Sequence, residues 1–309
     1  MIVIRLSVSD SSARLAISSR YCTSNGPVGK AASAGPNICS MANSGRGTFA
    51  FGPLLGADDE QAARRRRATR AGGVFALILI VTAIMHQNWH HLLFLHWEIP
   101  AHELQEMIPP ELTIDTFEGK AYVGVIPFTM TGVRAVLTPS IPWLSSFHEV
   151  NVRTYVHRGG ADPGVWFFSL DTSSALAVEG ARAFYKLPYF HAQIDFKEFE
   201  FTSRRDDPGG AKPADIHVRY QPIEGPVVPA APGTLEHFLV ERYLLYSMDK
   251  HHQLHRARVH HQPYPLQRAD VLKLEETLVW AAGIRRAGAA PIRHYAREVN
   301  VTIDPPKKC

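Results

Sequence analysis

Strict alternation of apolar and polar side chains is the clearest signal in the chain, and it is sharpest in Glu149-Val-Asn-Val-Arg-Thr-Tyr-Val156. Successive side chains on a strand leave opposite faces. Val150, Val152, Thr154 and Val156 therefore share an apolar face, and Glu149, Asn151, Arg153 and Tyr155 a polar one. Further strands are predicted at Leu92–Trp97, Ala121–Met130, Gly164–Leu170 (Trp166 and Phe168 on one side), Leu254–His261 and His294–Ile303. Tyr189–Phe201 also alternates, with Phe190, Ala192, Ile194 and Phe196 inward, until Phe199 and Phe201 shift the phase and predict a bulge. Helices are expected at Ala101–Met107, stopped by Pro109-Pro110, and from a Ser173 or Ser174 cap through Ala181 to about Tyr185, closed by Pro188. Two more are expected at Thr234–Tyr243 and Glu275–Ala282, with loops at Asp206–Gly210 and Pro226–Pro232. From residue 86 to 309 the pattern is that of one α+β domain, mainly antiparallel β.

The first seventy residues look different. They are rich in Ser, Gly and Ala, show no sustained apolar period, and end near the basic run Arg64–Arg67, so a disordered leader is expected. Ala71–Met85 is an uncharged apolar segment of fifteen residues, short of the ~20 that a membrane-spanning helix prefers. Two readings stay open: a membrane anchor with its arginines on the inner side, or a stretch of no importance to the domain.

Charge follows the same division. The whole chain carries +4, but residues 1–70 hold 10 Lys/Arg against 4 Asp/Glu, which leaves −2 for the rest. The domain therefore offers no basic footprint for nucleic acid. Cys22, Cys39 and Cys309 are scattered and lack C-x-x-C spacing, so neither a disulfide framework nor a zinc-thiolate site is encoded. A reducing, cytoplasmic location is the expectation, with membrane anchoring through residues 71–85 as the alternative.

Several ordered motifs carry a resemblance. Leu92-Leu-Phe-Leu-His-Trp97, Ile108-Pro-Pro110 with Asp115-Thr-Phe-Glu-Gly119, Val123-Gly-Val-Ile-Pro-Phe128, Asn151-Val-Arg-Thr-Tyr155 and Gly164-Val-Trp-Phe-Phe-Ser-Leu-Asp171 resemble the YqjF-like family of uncharacterised bacterial proteins, domain-of-unknown-function family 2071. Leu235-Glu-His-Phe-Leu239, Glu241-Arg-Tyr243 and Pro263-Tyr-Pro-Leu-Gln267 extend the likeness over roughly Trp89–Ile303. That family is similar in turn to acetoacetate decarboxylase, which implies a β-barrel with flanking helices around an internal pocket. The decarboxylase pattern carries a Tyr-Pro-Lys-Lys segment whose first lysine forms a Schiff base. Here the matching segment is Leu187-Pro188-Tyr189-Phe190, and neither aromatic residue can form an imine. Lys186, two positions before Pro188, has no cationic twin.

The resemblance also sets Glu149 where the decarboxylases carry a pocket carboxylate, which makes Glu149 and Arg153 the candidate catalytic pair. A carboxylate there could serve as general base or orient a polar ligand; Arg153, on the same face, could pair with it or bind an anion. The plainer alternative is an internal salt bridge. Asn151, Tyr155, Tyr189 and His191 are the candidate ligand-binding residues, against the alternative of an ordinary half-buried strand edge. Sixteen histidines invite a metal reading, but adjacent ones on a strand point to opposite faces and no H-E-x-x-H occurs. No metal and no cofactor is expected. Two classes of function remain for a small-molecule pocket: an enzyme using acid/base chemistry without a Schiff base, of the lyase or hydrolase kind, or a non-catalytic binding protein for a small anionic or apolar ligand. A membrane-tethered interaction protein ranks last.

Overall fold

The computed structural model describes residues 84–136, 138–139, 145–206 and 211–309. The leader lies outside these, as does the apolar segment up to residue 83 and the expected loop at 207–210. Ile84 and Met85, the end of that segment, open the first strand, and the Ile84 N–H donates to the Ile303 carbonyl at 2.8 Å.

Five long strands form the backbone of the domain. β1 (Met85–Ile99), β3 (Ala121–Ala135), β4 (Phe147–Arg158), β5 (Ala161–Thr172) and β12 (Ile292–Ile303) pair antiparallel in the order β12-β1-β3-β4-β5. Two sets of strands then bridge from β5 back to β12. β6 (Tyr189–Lys197), β7 (Glu200–Arg205), β8 (Asp215–Pro222) and β11 (Leu266–Glu276) leave β5 at Leu170–Thr172 and reach β12 at Ala296–His294, closing a barrel of nine strands. β9 (Leu244–Met248) and β10 (Leu254–His261) leave β5 at Val165–Trp166 and reach β12 at Val301–Ile303. A second ring, of seven strands, results. The two bridges depart from opposite ends of β5 and land on opposite ends of β12, so each crosses a different face of the five-strand sheet.

That arrangement explains the sequence. Leu92, Leu93, Phe94 and Leu95 are all essentially buried because consecutive residues enter different interiors. Leu93, Leu95, Val123, Val125, Val150, Val152 and Val156 join the cluster that contains Phe201, Ile216 and Val218 of the nine-strand side. Leu92, Phe94, Ile126, Phe128 and Tyr155 join the one that contains Leu245, Ala257 and Val259 of the seven-strand side. A sheet covered on both faces loses the alternation that a half-exposed sheet shows.

The remaining elements are short. α1 (Ala101–Gln105) follows β1, and β2 (Thr113–Ile114) pairs with β4. α2 (Ala175–Phe184) is capped by Ser174, whose Oγ accepts from the Ala177 N–H. α3 (Leu235–Val240) has the same arrangement with Thr234, and α4 (Leu278–Ala281) and β13 (Lys307–Lys308) complete the domain.

Three expectations are corrected here. The bulge near Phe199 is a tight turn between two strands: Glu198 and Phe199 both take positive φ (52° and 63°), and β7 runs back along β6. The helix expected at Glu275–Ala282 is one turn, because Glu275 and Glu276 still pair with β8 in β11. β8, β9 and the rest of β11 had no predicted counterpart. Among the described residues no helix is long and apolar enough to cross a membrane.

Candidate functional site

β4 carries the polar face into the seven-strand ring. Glu149 is 2% exposed and Arg153 8%, and Asn151 and Tyr155 are buried with them, while Val150, Val152 and Val156 pack on the opposite side. β6 contributes the next wall: its register sets Tyr189 opposite Leu170 and His191 opposite Thr172. The Tyr189 hydroxyl donates to Glu149 Oε2 at 2.8 Å, and Arg182 of α2 fixes the Tyr189 backbone by donating from Nε to its carbonyl at 2.7 Å.

Burial, above all, pushes the Glu149 carboxyl up to about 7, and nearby Asp171 adds to the rise, while the hydrogen bonds from Tyr189 and Asn151 oppose it. Glu149 is thus a carboxylic acid poised to exchange its proton near neutrality. The Asn151 Nδ2–H reaches Oε1 only at 3.5 Å, and its Oδ1 is buried without a partner among the described residues. With the amide turned over, Oδ1 would accept the Glu149 proton instead, which suits the neutral form better. Burial and the Glu149 charge also hold the Tyr189 phenol well above its ordinary range, so Tyr189 remains a donor.

The salt bridge weighed as the plain alternative does not form. Glu149 is engaged by Tyr189 and Asn151, and Arg153 is held instead by aromatic rings, its guanidinium 5.8 Å from the Phe94 centroid and 5.9 Å from that of Tyr155. Its Nε and Nη2 are buried with no acceptor among the described residues. His191 stands apart from this cluster: its Nδ1 lies 2.7 Å from Asp206 Oδ1 at a half-exposed rim, because the end of β7 brings a carboxylate beside it. Lys186 is exposed, takes a positive φ of 59° after the helix, and donates to the Ala183 carbonyl. No lysine among the described residues is buried, and among them no three His, Cys, Asp or Glu side chains gather as a metal ion would need.

Two groups of residues escaped the sequence reading. His96, inside the apolar Leu92–Trp97 run, is fully buried and places Nε2 2.6 Å from Tyr155 Oη. Its signal was a lone imidazole in an apolar run opposite a glycine, Gly124. On the other side of the sheet Arg205 donates to Asp171 from both Nε and Nη2, at 2.8–3.1 Å, with both residues buried.

A family model for an uncharacterized conserved protein, DUF2071, matches residues 86–300. The chain belongs to that family. Its relative in Bacillus subtilis (strain 168), the uncharacterized protein YqjF, is 37% identical over 229 residues, covering 73% of this chain and 92% of the relative. Among solved structures, the enduracididine biosynthesis enzyme MppR complexed with pyruvate has a TM-score of 0.50 at 12% identity, over 75% of this chain and 92% of that one. Acetoacetate decarboxylase from Legionella pneumophila gives 0.48 at 14%, over 84% of this chain and 98% of that one. The DUF2071 chain therefore shares its fold with MppR, and at 12% identity the likeness is one of fold alone.

Proposed function

We propose that this DUF2071 protein binds a small carboxylate inside the seven-strand ring without forming an imine. Arg153 serves as counter-ion, and Glu149, held by Tyr189, serves as a neutral hydrogen-bonding acid. One observation carries the reading: the buried Nε–H and Nη2–H groups of Arg153 have no acceptor among the described residues. A guanidinium removed from water at such cost is matched best by a bidentate carboxylate. The MppR complex with pyruvate, on the same fold, supports a small oxygen-rich acid as the class of ligand. The aromatic pair Tyr189-Phe190 and the lack of a buried lysine among the described residues argue against covalent capture of a carbonyl.

The test is calorimetric titration with lactate and pyruvate, followed by borohydride treatment in the presence of pyruvate and mass spectrometry. Millimolar or tighter binding that disappears in Arg153→Met, with no added mass, is expected. A stable adduct on any lysine would overturn the imine-free reading, and silence with both acids would overturn the carboxylate site.

A second reading is favoured by the pKa of Glu149, pushed up to about 7. A group that titrates there is matched to proton transfer at neutral pH, and the bound acid would then be a substrate for acid/base chemistry. Turnover with a bell-shaped pH profile, lost in Glu149→Gln while binding persists, separates that enzyme from a binder.

A further inference from the structure

His96 is fully buried on β1, in the row His96, Gly124, Arg153 that crosses β1, β3 and β4. The glycine makes the row work. A Cβ at position 124 would come within 2.9 Å of His96 Cδ2 and 3.0 Å of Nε2, so the bare backbone lets the imidazole lie across β3 and reach Tyr155 Oη on β4 at 2.6 Å.

That contact has one possible direction. The single hydroxyl proton of Tyr155 is donated to the Leu239 carbonyl at 2.6 Å, and a carbonyl has nothing to give back. His96 Nε2 must therefore carry the proton and donate it to the phenol oxygen. Burial, with the Arg153 charge as the next cause, holds the imidazole well below its usual range, so the ring is neutral. Nδ1 is left with its lone pair, buried and without a partner among the described residues. It lies on the sheet face that also carries Arg153, whose Nε and Nη2 have no acceptor among the described residues.

We infer that His96 Nδ1 is the second anchor of the ligand, and that the ligand is a hydroxy acid: its carboxylate meets Arg153 and its hydroxyl donates to Nδ1. The inference rests on the carboxylate reading above and adds to it the functional group beside the carboxylate. A 2-oxo acid has no proton to offer and leaves Nδ1 buried and unpaired. Sites built around a ligand hydroxyl discriminate strongly against the analogue that lacks it. Tyr155 and Leu239 act through His96, as positioning groups that fix its tautomer.

Lactate and pyruvate differ only in this group, so calorimetric titration of the full chain with the two acids is the test. Lactate is expected to bind at least ten-fold more tightly, with the preference falling to within two-fold in His96→Phe. His96→Gln is expected to keep it, because a carboxamide can donate to Tyr155 and accept from the ligand. Imidazole nitrogen NMR on the wild-type protein needs no variant: the His96 Nδ1 resonance should move with lactate and stay in place with pyruvate. Equal affinities, or a preference intact in His96→Phe, would overturn the role of His96 while leaving the carboxylate site standing, provided both acids still require Arg153. No binding of either acid would overturn the two together.

Discussion

Each ring of the domain buries an arginine, and the two are treated in opposite ways. Arg205, in the nine-strand ring, is saturated: it forks onto Asp171, its Nη1 donates to the Lys212 carbonyl at 3.2 Å, and its guanidinium lies 4.4 Å from the Phe190 ring centroid. Arg153, in the seven-strand ring, has aromatic neighbours but, among the described residues, no acceptor for Nε or Nη2. A buried charge with its partners in place is part of the scaffold; one without them is stable only at a cost, which the carboxylate proposed above would offset. The buried His96, whose imidazole is held well below its usual range by burial and by the Arg153 charge, adds no second cation beside it.

Substitutions at the two arginines should therefore differ in sign. Arg205→Met removes the main cation from Asp171, which is 0% exposed, and is expected to lower unfolding free energy by about 3–5 kcal/mol, read from urea denaturation. A loss below about 1 kcal/mol would mean that the pair is not the scaffold element described here.

Glu149 should make stability depend on pH in the direction opposite to an ordinary carboxylate. Its folded pKa is raised from 4.5 to about 7, so the protein binds this proton more strongly when folded. The associated stability is fully present below the unfolded value and is lost as pH rises through the folded one. Between pH 4.5 and pH 8 the loss from this group is on the order of 3 kcal/mol. Glu149→Gln should remove that dependence and make the variant more stable than wild type at pH 8. Parallel stability curves for the two proteins would show that Glu149 stays ionised in the fold.

Gly124→Ala tests the row across the sheet. The new Cβ would crowd His96 Cδ2 at 2.9 Å and Ile126 Cδ1 at 3.0 Å, and about 1–2 kcal/mol of destabilisation is expected in thermal or urea melts. An unchanged midpoint would mean that the imidazole has room to move off the glycine.

Much of this comparison could be read from the chain before its fold was known, and the rest could not for definite reasons. The alternation in Glu149–Val156 was legible because the two interiors differ in polarity: β4 sends valines to one and Glu149, Asn151, Arg153 and Tyr155 to the other. β1 was legible as a strand but not as a source of His96, since a run buried on both faces carries no alternation to mark the odd residue. Tyr189 meets Glu149 across 40 positions of chain, and only the resemblance to the decarboxylase segment linked them. The β6–β7 turn was hidden because Glu198 and Phe199, not Gly or Asn, adopt the positive φ that it requires. Asp171 and Arg205 are 34 positions apart and sit in strands whose neighbours gave no reason to pair them.

The most direct test is urea denaturation of the wild type and of Arg153→Met, each with and without millimolar lactate. With no carboxylate among the described residues to lose, and only a hydrogen bond to the Tyr155 phenol given up, Arg153→Met should be neutral to about 2 kcal/mol more stable than wild type in the absence of ligand. Lactate should raise the wild-type midpoint in proportion to its binding and leave the variant unmoved. Destabilisation of Arg153→Met comparable to that of Arg205→Met, together with a lactate response equal in both proteins, would contradict the claim that Arg153 is an unpaired cation kept for a carboxylate.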